Sequence, residues 1–241
     1  LIGFFGVNEK PTSSKDPFAL RRIALGIIRI IIENKKDLKI NDIISYSSNL
    51  YLNQGLPFQN KTLHKDSLIF LKDRFRYYLK EKNIRYDIIE ASMNAFDLNK
   101  ISFLFEKSKC LNKIINKHVG HDIIIAYKRA YNILQSEKKG SNIDLNNTTD
   151  PGIFKNDFEK NLFKKINELK KYFAGISSDE DFDETLILLS SAKKEIFDFF
   201  DNVKVNDESD AIKKNRLELI NILCKTFENY TNFHLIEDIN E

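Results

Sequence analysis

This sequence predicts an all-α fold, on three observations. Only four prolines and eight glycines punctuate 241 residues, so long stretches run without a helix breaker. Apolar residues recur three and four apart through most of those stretches, and no segment alternates convincingly with period two. Charged residues at 30% and apolar residues at 42% leave material for a sizeable core, in one large or two modest domains.

The first long helix has the clearest start signal. Lys10–Arg22 reads Lys-Pro-Thr-Ser-Ser-Lys-Asp-Pro-Phe-Ala-Leu-Arg-Arg, a polar loop that turns directly into the apolar run Phe18 to Ile32. Asp16 is expected to cap the first turn, where a carboxylate meets orphan N–H groups and the positive end of the helix dipole. Pro17 would take the first helical position, where its missing N–H costs nothing. Apolar almost all round, Phe18–Glu33 is expected to lie beneath other structure. Its one polar strip, Arg22, Gly26, Arg29 and Glu33, would face something polar. Lys10, Lys15, Arg22 and Arg29 are the cations available here for a contact to another domain or to RNA.

A second helix is expected over Ile40–Leu52, followed by a connector punctuated by Gly55 and Pro57. A third runs from about Lys65 to Lys82, with Leu68, Leu71, Phe75, Tyr78 and Leu79 on its apolar side. Its other side sets Lys72, Arg76 and Lys80 four apart, beside Tyr77. Like charges at that spacing repel by a few tenths of a kcal/mol, which a solvated face or a row of phosphates relieves. Tyr86–Phe96 and Lys100–Lys117 follow as helices.

Gly120 is expected to stop the chain before a helix over Asp122–Ser136. There Ile123, Tyr127, Ala130, Tyr131 and Leu134 face inward, and Lys128, Arg129, Asn132 and Gln135 face outward. Gly140–Gly152 has little apolar content, ends in a turn signal and is expected to be mobile. Phe154–Phe173, closed by Gly175, is amphipathic. Asp179–Leu189 follows with an acidic first turn, then a break at Ser190-Ser191 and a helix over Ala192–Phe200. The last helix, about Asp207 to Tyr230, carries the stripe Ile212, Leu219, Leu223, Phe227 and Tyr230. Arg216 falls on that stripe. An arginine facing a core needs a carboxylate or carbonyls, so a structural ion pair is expected, with Asp198, Asp201 or Asp210 as partner.

Few residues suggest chemistry. Cys110 and Cys224 sit among helical apolar residues and read as buried free thiols of a reducing cytoplasm. Gly6-Val-Asn-Glu-Lys-Pro-Thr lacks the second glycine and the preceding strand of a phosphate loop. His118 and His121 have no further ligands nearby for a metal, and His121-Asp122 lacks the companion histidines of a metal phosphohydrolase. No catalytic residue and no metal ligand is assigned. No apolar run reaches the roughly eighteen residues of a membrane span. The chain opens on Leu-Ile-Gly-Phe-Phe, without an initiator methionine or a signal sequence, and is expected to be a piece of a longer protein. A net charge of +3 permits an RNA partner without demanding one.

Phe4-Phe-Gly-Val-Asn-Glu-Lys-Pro-Thr-Ser-Ser-Lys-Asp-Pro-Phe-Ala-Leu-Arg-Arg, with Ala24-Leu-Gly-Ile-Ile-Arg-Ile after it, resembles the β subunit of bacterial heterotetrameric glycyl-tRNA synthetases. Ser13 stands where the family has glycine. The resemblance continues in order through Phe70-Leu-Lys-Asp-Arg-Phe-Arg, Tyr127-Lys-Arg-Ala-Tyr-Asn-Ile-Leu, Phe199-Phe-Asp-Asn-Val-Lys-Val-Asn and Asn215-Arg-Leu-Glu-Leu. It implies the end of an HD-like helical domain over 1–62 and a helical linker with the first part of a tRNA-binding region over 63–150. Over 151–241 it implies an anticodon-binding helical bundle of the type shared with arginyl-tRNA synthetases. Asp210-Ala-Ile-Lys stands where that type has Asp-Ala-Leu-Arg, so Lys213 keeps the charge without the bidentate geometry.

The resemblance further implies a role in tRNA recognition. The ATP- and magnesium-dependent active site would belong to the α subunit, with no cofactor in this segment. Implied partners are the α subunit, in a cytoplasmic assembly of two α and two β chains, and tRNA-Gly. Glycine codons begin GG, so the anticodon presents two cytosines, open to stacking and to hydrogen bonds at their edges. Lys72, Arg76 and Lys80, then Lys128, Arg129 and Asn132, then Lys213, Lys214 and Asn215 are the outward residues that could contact RNA. Two readings compete: a non-enzymatic helical interaction module, and the anticodon-binding tail of another synthetase such as the arginine enzyme. The Lys10–Arg22 stretch argues against the second.

Overall fold

A computed structural model describes residues 1–35, 38–93, 97–140, 144–175 and 181–237. Among them all regular structure is helical, as expected. The chain divides into two compact units, Leu1–Lys109 and Cys110–Glu241.

The first unit contains α1 (Ile2–Gly6), α2 (Leu20–Glu33), α3 (Ile40–Asn53), α4 (Leu63–Glu81), α5 (Tyr86–Met93) and the start of α6 (Ile101–Ile115). Helix α4 is its hub, with α1, α2, α3 and α5 all packed on it. The cause is the buried row Leu63, Ser67, Leu71, Phe75, Tyr78 and Leu79, which recurs at helical spacing along α4. Phe5 and Leu20 join Leu63 in one cluster, with Phe58 and Phe70 against it. Residues 94–96, expected to extend α5, lie outside the described residues.

The start of α2 differs from expectation. The helix begins at Leu20, and Pro17 lies in the turn before it, where the Ala19 N–H donates to the Asp16 carbonyl at 3.1 Å. Asp16 still caps, because its two carboxylate oxygens accept from the N–H groups of Leu20 (2.8 Å) and Arg21 (3.0 Å). Ala19 adopts a left-handed φ of 53° to allow this, a conformation disfavoured by its Cβ. Nor is α2 covered all round. Leu20, Ala24, Ile28, Ile31 and Ile32 are buried, while Ile23 and Ile30 are 40% and 62% exposed.

Lys10 ties the entering loop to the start of α4 through Asp66, at 2.5 Å. Asp66 also accepts from Thr62 (2.8 Å) and Asn60 (3.1 Å). The Lys10 hydrogen bond first, then those from Thr62 and Asn60, hold the Asp66 carboxyl down at about 2.

The second unit takes in the end of α6, α7 (His118–Gly140), α8 (Asp157–Gly175), α9 (Phe182–Ser190), α10 (Lys193–Asn202) and α11 (Asp210–Glu228). Gly120 does not stop the chain; it lies inside the first turn of α7. A Cβ at Gly120 would sit 2.5 Å from the Ile115 Cα and 2.6 Å from the Ile114 carbonyl oxygen, so glycine lets α7 start hard against the end of α6. Helix α7 then runs past Ser136 to Gly140. The break at Ser190-Ser191 is present, between α9 and α10. Residues 179 and 180 lie outside the described residues, and Asp181 caps α9 by accepting from the N–H groups of Asp183 and Glu184.

Helix α11 is buried without a gap from Asn215 through Cys224. Helices α7 and α8 pack on it, and the segment 144–150 is bound along it by polar groups. Glu218 accepts from the N–H groups of Asn146 (2.6 Å) and Asn147 (2.8 Å). Asn215 accepts from the Asp150 N–H (2.8 Å) and donates to the Asp150 carbonyl (3.0 Å). Asn221 donates to the Asn147 side chain at 2.7 Å. This described part of the expected mobile loop is therefore held in place, by hydrogen bonds where apolar residues are lacking; residues 141–143 lie outside the described residues.

Both cysteines are free. Cys110 is half-buried and Cys224 buried. Burial, then the hydrogen bond to Asp183, pushes the Cys110 thiol up to about 12. Burial does the same at Cys224. Neither is a thiolate at neutral pH. Among the described residues no helix is long and apolar enough to cross a membrane.

Two outcomes are expected. Gly120→Ala should destabilise the protein by about 1–3 kcal/mol through overpacking, whereas Gly26→Ala, whose Cβ meets nothing within 4 Å, should be neutral or slightly stabilising; urea unfolding compares them. The depressed Asp66 carboxyl contributes stability that is fully present above its unfolded value near 3.8 and is lost as pH falls toward about 2. Lys10→Met should move the Asp66 titration upward, read by carboxyl NMR, and shift acid unfolding to higher pH.

Candidate nucleic-acid interface

Helix α10 packs between α7 and α8, with Ile196 and Phe199 buried beneath it. Two lateral faces remain. On the α7 side Lys193 pairs with Asp122 at 2.6 Å and Arg129 with Asp201 at 2.7 Å. Between these pairs the Arg129 guanidinium lies 5.1 and 5.2 Å from the ring centroids of Phe197 and Phe200, close enough for cation–π attraction. His118 approaches the same Asp122 carboxylate at 3.2 Å. This face is a closed seam.

The α8 side is open. A cleft of about 310 Å³ lies between Phe158, Asn161, Lys164, Lys165 and Glu168 on α8 and Lys194, Glu195 and Asp198 on α10. Lys165 is paired with Glu168 at 3.1 Å. Among the described residues Lys164, Lys194, Glu195 and Asp198 make no ion pair, and the Oε2 atom of Glu195 is shut off from solvent without a donor.

The outward residues expected from sequence fall into different settings. Arg129 is turned onto α10, with half-buried Lys128 and exposed Asn132 beside it on α7. Lys213 reaches α7 through Glu137 at 2.9 Å, and Asn206 donates to the same carboxylate. Those two bonds, Lys213 first, hold the Glu137 carboxyl below its ordinary value. Lys214 is exposed. Asn215 does not face outward; it is buried and bound to Asp150.

On α4, in the other unit, Arg76 makes a two-pronged pair with Glu90 (2.8 and 3.1 Å) and approaches Asp73 at 3.5 Å. Lys72 is half-buried and Lys80 exposed. Of the early cations, Lys10 holds Asp66, Arg29 reaches Glu81 at 3.6 Å, and Lys15 and Arg22 are exposed. Among the described residues no group of three or more His, Cys, Asp or Glu is placed to hold a metal ion.

Arg216 is buried in an ion pair, though with other partners than Asp198, Asp201 or Asp210. Its Nε donates to Glu159 at 2.7 Å, and its Nη1 donates to Asp207 and to the Lys204 carbonyl, both at 2.8 Å. Helix packing brings Glu159, on α8, under α11, which the sequence interval hides.

Residues 1–94 match the family model described as glycyl-tRNA synthetase beta subunit, and residues 123–237 match the DALR anticodon binding domain. Over 235 residues the chain is 39% identical to a glycine–tRNA ligase beta subunit of Rickettsia africae and 38% identical to that of Rickettsia conorii. Over 236 residues it is 39% identical to that of Rickettsia bellii. Each alignment takes in 97% of this chain. The chain belongs to the glycyl-tRNA synthetase β-subunit family. It spans 33% of the length of the first two relatives and 32% of the third.

In this β-subunit segment the DALR match takes in most of α7 and all of α8 to α11, and so both faces of α10. Sequence reasoning missed the α8 side. Its signal was present as Phe158, Asn161, Lys165 and Glu168, spaced three, four and three apart on the polar flank of an amphipathic helix. Periodicity places those residues on one face; it does not say that α10 supplies the opposite wall.

Arg216→Met should destabilise the protein by about 3–5 kcal/mol, because Glu159 would be left buried and uncompensated. Adding Glu159→Gln should recover part of that loss. Chemical denaturation of the single and double variants checks both.

Proposed function

We propose that this chain is the tRNA-recognition portion of the β subunit of a heterotetrameric glycine–tRNA ligase, and that its second unit binds the anticodon loop of tRNA-Gly. In this reading the α subunit carries out glycylation with ATP and magnesium. The holoenzyme has two α and two β chains and works in the cytoplasm. The observation that carries the reading is the DALR anticodon binding domain match over the helices that form the α8–α10 cleft. A single-stranded loop offers unstacked bases and closely spaced phosphates, and it is held by aromatic rings, cations and edge hydrogen bonds together. Phe158, Lys164, Lys194 and Asn161 supply those groups on one surface. With a net charge of +3, attraction to RNA comes from such local groupings, and it weakens as salt rises.

The test uses the assembled holoenzyme. It should bind tRNA-Gly about tenfold or more tightly than the same tRNA with both anticodon cytosines changed to uracil, since a site built for one base edge leaves groups unpaired against another. It should also protect the anticodon loop from nuclease. Equal affinities with an unprotected loop would overturn the proposal.

A further inference from the structure

We propose that the cleft between α8 and α10 holds one unstacked anticodon cytosine, whose exocyclic amine donates to the Glu195 carboxylate. The inference rests on the anticodon-binding reading above and gives it a location and a reading group.

The cleft's charges are the first argument. Lysines 164, 165 and 194 stand against Glu168, Glu195 and Asp198, so the walls sum to zero and do not form a trap for a bare anion. A balanced cleft suits a ligand that presents donors and acceptors side by side, which is what a base edge does. At about 310 Å³, the space is at the low end of small-ligand clefts, about 300–1,000 Å³.

The unsatisfied acceptor is the second argument. A glutamate in the first turn of a helix ordinarily needs no ligand to explain it, because the helix dipole favours a carboxylate there. Glu195 occupies that turn of α10, yet its Oε2 receives no hydrogen bond from it or from anything else among the described residues. A buried acceptor without a donor is unfavourable. The other oxygen, Oε1, is not sealed and makes no hydrogen bond among the described residues either. Since the side chain lines the cleft, Oε1 is the atom placed to take an N–H from a ligand.

A glutamate in this position also discriminates between the two pyrimidines. A carboxylate accepts from the cytosine N4 amine. Uracil presents a carbonyl at that position, which would set acceptor against acceptor. Asn161 and the ammonium of Lys194 can donate to the remaining acceptors of the cytosine edge. Phe158 offers an apolar wall to the ring, and exposed Lys164 is free to meet the adjoining phosphate.

The test compares wild-type holoenzyme with Glu195→Gln and with the pair Lys164→Ala/Lys194→Ala, against tRNA-Gly and two tRNAs carrying uracil at one or the other anticodon cytosine. Glutamine keeps the side-chain volume and can donate to a carbonyl. Wild type should prefer cytosine at both positions. Glu195→Gln should lose about tenfold in affinity for tRNA-Gly, and at one position its preference for cytosine should collapse to within about threefold, with the other position unchanged. The lysine pair should lower the slope of log affinity against log salt by about one for each phosphate that is no longer neutralised. Unchanged discrimination by Glu195→Gln at both positions would overturn the cleft assignment while leaving anticodon binding intact. If Glu195→Gln fails to assemble, an unchanged salt slope in the lysine pair overturns it instead. Absence of cytosine preference in wild type itself would sink the anticodon reading.

Discussion

The guanidinium of Arg216 is the point at which three segments of the second unit meet. It reaches Glu159 at the start of α8, Asp207 and the Lys204 carbonyl in the connection from α10, and it rises from α11 itself. Glu159 does two things at once. Its Oε1 faces Arg216, and its Oε2 accepts from the N–H groups of Lys155 and Asn156, closing the first turn of α8. The Asn156 side chain in turn accepts from the Glu159 N–H, a reciprocal cap. A charge taken out of water is tolerated only when such partners are already in place. The cluster therefore fixes where α8 begins relative to where α10 ends, and those two helices are the walls of the cleft.

A parallel arrangement holds the first unit. Asp66, in the first turn of α4, draws in Lys10, Asn60 and Thr62, and α4 is the helix on which the others pack. Each unit thus has one charged group near a helix start that gathers a distant loop. Apolar burial supplies most of the driving force, but it is non-directional. Directional groups at the helix starts set which way the loops run.

Helices were legible from sequence because their apolar spacing is a property of the chain alone. Their ends were less so. Pro17 and Gly120 both look like punctuation, and both were overridden: Pro17 by Asp16 capping one turn further on, Gly120 by the close approach of α6. Arg216 could be read as buried from its place on an apolar stripe. Its partner could not, since Glu159 is 57 positions away and meets it only through the packing of α8 on α11. Asn215 misled for a related reason. An asparagine in the second turn of a helix resembles a surface residue until a loop covers it. The cleft was half legible, as a polar row on α8 whose opposite wall depends on tertiary structure.

The segment bound along α11 has a consequence of its own. Glu218 and Asn215 grip peptide groups of residues 146, 147 and 150 rather than their side chains. Asn147, with a left-handed φ of 62°, is the position where residue type matters to the backbone, since asparagine tolerates that conformation. A cover held by its peptide groups is indifferent to most of its own side chains but strict about spacing. Drift in composition can therefore pass through this stretch with little effect, while one inserted or deleted residue would slide the peptide groups out of register with the helix beneath.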